Sequence, residues 1–135
     1  MTQAQKEDTH SKDQARAQLS SITEIMKNYA EAIDDDNQNM LEALETEIHE
    51  GPLSIQVRSG WASTPEDFEA EEYEILLCTG GPAVRIIGEF DEYKQPDGSV
   101  VIQHQDWGTP WTTLHTSVEE DTALLEYAQK FYFGG

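Results

Sequence analysis

The chain has 135 residues, 37% of them hydrophobic, and carries 27 acidic against 8 basic side chains, a net charge of −19. That length makes one ordinary domain, with enough apolar residues for a core and few to spare. The balance argues against direct nucleic-acid binding and against anionic membranes, because both need clustered Lys and Arg, and no two bases here are adjacent.

The acidity is not confined to a tail. Residues 1–50 hold 12 acids and 4 bases, and residues 51–135 hold 15 and 4. So much like charge favours solubility while opposing compaction. Its natural complement is a basic partner protein. Cys78 is the single cysteine, so an intrachain disulfide is impossible. The opening MTQAQKEDTHSKDQ has no apolar core of a signal peptide, and no stretch approaches the roughly 20 apolar residues of a membrane span. A cytoplasmic location is expected.

Residues 1–13 are polar and without period, and are expected to form a disordered lead to a single α+β domain over 14–135. From Ala15 a helical stripe runs through Leu19, Ile22, Met26, Tyr29 and Ile33. Asp34, Asp35 and Asp36 end it, since acids oppose the dipole at a helix C-terminus. Asn37 or Asn39 can cap a second helix, with Met40, Leu41, Leu44 and Ile48 as its stripe, stopped by Gly51-Pro52. Together they predict an N-terminal helical hairpin.

The period then changes to two. LSIQVRSGW places Leu53, Ile55 and Val57 on one face, which predicts a half-buried strand. STPEDFEAEE reads as a loop. YEILLCT (Tyr73–Thr79), AVRIIGEF (Ala83–Phe90) and SVVIQHQDW (Ser99–Trp107) read as three more strands, joined by turns at Gly80-Gly81-Pro82 and Pro96-Asp97-Gly98. Short connections favour neighbour pairing, so a four-stranded antiparallel meander is expected. Thr116 or Ser117 can cap a last helix, and Ser117 and Glu120 have capping-box spacing. Leu124, Leu125, Ala128, Phe131 and Tyr132 form the stripe that packs it on the sheet.

Several stretches here are distinctive: RSGW (Arg58–Trp61), EEYEILLCTGGPAVRIIGE (Glu71–Glu89), QDWGTPWT (Gln105–Thr112) and the closing KFYFGG. Over about residues 51–135 they resemble a group of small acidic bacterial proteins with no assigned activity, associated with phage, plasmid and integrative elements. The resemblance supplies no catalytic residues. It implies an accessory factor of a mobile element acting on host proteins.

The most prominent candidate surface is acidic. Glu66, Asp67, Glu69, Glu71, Glu72 and Glu74 place six charges in nine residues without a base. One strand cannot imitate a nucleic-acid backbone, because same-face residues are roughly 6.6 Å apart while duplex DNA carries a charge per about 1.7 Å of axis. Acids from several elements must converge. The candidates are Asp34, Asp35, Asp36, Glu42 and Glu45 on the hairpin, Glu66, Asp67, Glu69, Glu71 and Glu72 in the loop, and Glu89, Asp91 and Glu92 after the third strand. The plain alternative is a solvated acidic loop.

Other chemistries fit less well. Asp34–Asn37 lacks the alternating ligands and central glycine of an EF-hand. His10, His49, His104 and His115 lack zinc-site spacing, so no metal or cofactor is expected. Cys78 with His104 and Asp106 has the composition of a nucleophilic site, yet Cys78 lies in an apolar strand where a thiol is usually inert. TGGPAVRI leads into a strand and fits no phosphate-loop pattern. Trp61, Trp107 and Trp111 flank turns and are expected to plug the edges of the core, with a partner hot spot as the alternative.

The expected function is therefore non-enzymatic: binding of a basic host protein, in its sharper form as a nucleic-acid mimic that inhibits a defence or nucleic-acid-processing enzyme. A second expectation is a small-molecule- or peptide-binding enzyme with a pocket near Arg58, Trp61, Arg85, His104, Trp107 and Trp111. A third is a structural or oligomerising accessory module.

Overall fold

The stripe Leu19, Ile22 and Met26 is buried along α1 (Gln3–Asp34), which packs against the sheet and both other helices. The computed structural model describes residues 3–131 and 133, with side-chain surroundings from residue 10 onward. The disordered lead expected over residues 1–13 is corrected. The chain is helical from Gln3, and Ser11 and Ala15 are fully buried two turns and one turn ahead of Leu19. The stripe thus extends toward the N-terminus through two small residues, one of them polar, which hid the period. Met1 and Thr2 lie outside the described residues.

α1 ends by a geometry that answers its open carbonyls. Asn37 N–H donates to Ala32 O at 2.9 Å and Asp36 N–H to Ile33 O at 3.1 Å. This is the Schellman arrangement, and Asp36 takes the left-handed conformation it needs, with φ 53°. Asn37 then caps α2 (Gln38–Glu50), accepting from Met40 N–H at 3.1 Å. Leu44 and Ile48 are buried, whereas Met40 stays exposed.

Five strands follow: β1 (Ser54–Arg58), β2 (Glu72–Cys78), β3 (Ala83–Glu89), β4 (Val101–Gln105) and β5 (Thr112–Thr113). They pair in chain order and antiparallel throughout, the expected meander with one strand more. The fifth has two residues, too few for any period to register in sequence. Gly80 and Gly81, both at positive φ, turn β2 into β3. α3 (Val118–Ala128) closes the fold behind a complete capping box of Ser117 and Glu120. Its buried face is Ala123, Leu124, Tyr127 and Ala128, with Phe131 just beyond; Tyr132 of the expected stripe lies outside the described residues.

Alternation divides the sheet. Tyr73, Ile75, Val84, Ile86, Ile102 and His104 are buried beneath the helices. Glu72, Glu74, Leu76, Arg85, Ile87, Val101 and Gln103 lie between them on the opposite, half-exposed face. A bulge between Leu76 and Cys78 interrupts the alternation, and both Leu77 and Cys78 pack against the core.

One close contact lies on the buried face where β2 begins and β3 ends. Tyr73 pairs with Gly88, and a Cβ at position 88 would stand 2.5 Å from the Tyr73 hydroxyl oxygen. The glycine therefore makes room for the ring, which packs against Phe90 and Phe133 with centroids 5.3 and 5.1 Å away. The hydroxyl is buried without a hydrogen-bond partner among the described residues, and burial pushes its pKa above the ordinary tyrosine value. Two outcomes follow for urea unfolding. Gly88→Ala is expected to cost about 1–3 kcal/mol by overpacking. Tyr73→Phe is expected to be neutral or stabilising within about 1 kcal/mol, because it removes an unpaired buried hydroxyl.

Candidate functional site

Two acidic loops meet at one end of the sheet. The link from β1 to β2 is closed by Glu71 N–H donating to Arg58 O at 2.9 Å, and contains a short 3-10 turn at Pro65–Asp67. The link from β3 to β4 turns at Asp91, whose carboxylate accepts from Tyr93 and Gln95 N–H at 2.8 and 3.1 Å. The loops are joined directly. Phe90 N–H donates to Glu71 O at 3.0 Å, and Lys94 Nζ lies 3.4 Å from Glu69 Oε1. Glu72 and Glu89 are register partners on adjacent strands. Glu69, Glu71, Glu72, Glu89 and Asp91 thereby share one end of the molecule, with Glu92 beside Asp91 and with Glu66 and Asp67 exposed in the same first loop.

The acids of the hairpin stand apart from this group. Asp34, Asp35, Asp36, Glu42 and Glu45 are all exposed. Glu45 accepts from Tyr29 Oη at 3.0 Å, and no described hydrogen bond or ion pair joins these five to the loops. The convergence that sequence left open is thus direct for the two loops only.

Like charges placed opposite each other on neighbouring strands are destabilising. At Glu72 the repulsion is relieved by Arg58, whose Nη2 donates to Glu72 Oε2 at 2.8 Å. That hydrogen bond holds the Glu72 carboxyl below its ordinary range and raises Arg58 in turn. Both groups are largely exposed, so the pair adds little to stability. Its effect is to keep Glu72 ionised.

The open sheet face carries a second constellation. Arg85 Nη1 donates to Glu74 Oε2 at 2.8 Å, and its Nε and Nη2 donate to Gln103 Oε1 at 3.0 and 2.8 Å. Gln103 passes a hydrogen bond to Thr113 Oγ1 at 3.1 Å, and the guanidinium lies 4.1 Å over the Trp111 ring. Between Arg58 and Arg85 is a hollow of about 190 Å³ lined by Gln56, Glu72, Glu74 and Ile87. That is below the roughly 300 Å³ at which small-molecule sites begin.

The six residues considered for a pocket do not share a cavity. Arg58 and Arg85 line the open-face hollow, and Trp111 stacks on Arg85. His104 is buried on the opposite face, its Nδ1 2.9 Å from Ser11 Oγ. Trp61 and Trp107 are 107% and 88% exposed, which corrects the expectation that they plug the core. QDWGTPWT is a turn: Thr109 N–H and Oγ1 both donate to Asp106 O, at 3.0 and 2.9 Å, and Gly108 takes φ 83°. The turn throws Trp107 outward and leaves Trp111 on the open face. Cys78 Sγ donates to Pro82 O at 4.0 Å, and burial pushes the thiol up from its ordinary value.

No protein-family model, curated protein or solved structure matches this chain. No helix among the described residues is long and apolar enough to cross a membrane.

Acrylamide is expected to quench most of the tryptophan emission of the native protein, and Trp111→Phe to remove the least quenchable component. Cys78 is expected to react with a maleimide at pH 8 at least about tenfold more slowly in the native state than in urea, because the thiolate is the reactive form and burial disfavours it.

Proposed function

We propose that this protein acts by binding a basic surface of a host protein through the acidic end of its sheet, and that it serves a mobile element as a cytoplasmic, non-enzymatic inhibitor of a nucleic-acid-processing or defence enzyme. The observation that carries this reading is the meeting of two acidic loops from separate connections, with Glu72 set opposite Glu89. A sequence folded for stability alone places opposite charges at such a pair. Departures from local rules are commonest at functional sites. Loops held by a rigid sheet are also where binding residues concentrate.

The mechanism is electrostatic. A net charge of −19 attracts a cationic groove over a distance set by ionic strength and speeds encounter. The carboxylates of the two loops then occupy positions that phosphates fill in the groove's ordinary ligand. Acids from two elements supply what one strand cannot. Affinity capture from a bacterial host lysate at low salt, followed by salt elution, identifies the partner. Its affinity is expected to fall at least about tenfold between roughly 50 and 500 mM salt. An affinity that hardly changes over that range would contradict an electrostatic mechanism.

A further inference from the structure

We infer that the outer edge of β1 is a strand-addition site for an extended segment of the partner in which apolar and cationic residues alternate. This rests on the reading of a basic partner and names the kind of segment that partner presents. β1 is terminal in the sheet, so alternate backbone N–H and C=O groups along Ser54–Arg58 lack a strand partner among the described residues. Protein sheets usually protect such an edge with lysine, proline, a bulge or an inward charge. None interrupts Ser54–Val57. The sheet's bulge lies in β2 opposite β3, and the one charge on β1 is Arg58 at its end, bonded back to Glu72.

The edge is also apolar on its helix side. Ile55 and Val57 pair with Ile75 and Tyr73, both buried, yet Ile55 is 36% and neighbouring Leu53 60% exposed. The helices make their main contacts with β3 and β4, and Val57 of β1 packs against the core while Ile55 stays exposed. An added strand sets every second side chain beside Leu53, Ile55 and Val57, where apolar residues extend the core. The intervening side chains fall beside Ser54, Gln56 and Arg58, with Glu72 and Glu74 one strand further in. Glu72 and Glu74 are already paired with Arg58 and Arg85, so cationic side chains beside Ser54 and Gln56 answer the chain's net charge of −19 rather than a particular carboxylate.

Charge selects the occupant. β1 follows Glu50 and leads into the loop bearing Glu66, Asp67, Glu69 and Glu71. A second copy would bring another −19 to the same edge and be repelled, whereas a basic segment is attracted. The exposed Trp61 and Phe68 of that loop offer aromatic contacts at the end of the added strand.

The test is calorimetric titration of the full chain, at low salt, with a nonapeptide of alternating Lys and Val. The controls are a peptide of the same composition with all Lys before all Val, and two alternating peptides N-methylated at the Lys or at the Val positions. The alternating peptide is expected to bind at least about tenfold tighter than the block peptide, and one N-methylated set, not both, to lose binding, because an added strand uses alternate N–H groups. Ile55→Ser, a surface change that leaves the charge alone, is expected to weaken the alternating peptide about fivefold. Equal binding of all four peptides would overturn strand addition and leave the acidic-surface reading standing. If no cationic peptide binds at low salt, the basic-partner reading fails and this inference with it. A concentration-dependent dimer dispersed by Ile55→Ser would assign the edge to a second copy and overturn the proposal.

Discussion

The structure depends on α1 lying across one face of the sheet. Its buried stripe, from Ser11 and Ala15 to Met26, meets β3, β4, α2 and α3. With apolar residues scarce, that single layer takes most of the core, and the other features follow from its placement. The sheet can be covered on one side only, so its opposite face must satisfy itself with polar contacts. Arg85 does this by bridging Glu74 and Gln103 beneath Trp111. β1, terminal in the sheet, remains an open edge.

The same economy bears on charge. In so acidic a chain, two of the four bases after residue 50 are spent on the open face: Arg58 on Glu72 and Arg85 on Glu74. Lys94 lies near Glu69, and Lys130 sits 4.0 Å over the Tyr29 ring. Among the described residues, only Arg58 and Arg85 are thus paired with carboxylates of the sheet itself. The loop acids beyond them are exposed at one end of the sheet.

Much of this was legible in sequence because it is periodic or carries a stop signal. The helical hairpin, the cap at Asn37, the Gly80-Gly81 turn, four strands in meander order and the capping box all rest on local rules that the fold obeys. What was missed has physical causes. The start of α1 was concealed because the residue buried at position 11 is serine, whose partner, His104, lies 93 positions away. β5 is too short to show alternation. The tryptophans misled because size suggests burial, while the turn at Gly108 points Trp107 into solvent. The acids were readable one by one, but the facing of Glu72 and Glu89 depends on strand register, which no single segment encodes. The separation of the hairpin acids from the loop acids is likewise a tertiary fact.

The central claim is that cationic partners engage the end of the sheet where the two acidic loops meet. Backbone amide chemical-shift mapping during titration with nona-lysine at low salt tests it directly. The largest shifts are expected at residues 66–72 and 89–94, with smaller ones along the hairpin turn at 34–37. Shifts spread evenly over all acidic surfaces, or greatest on the hairpin, would contradict it.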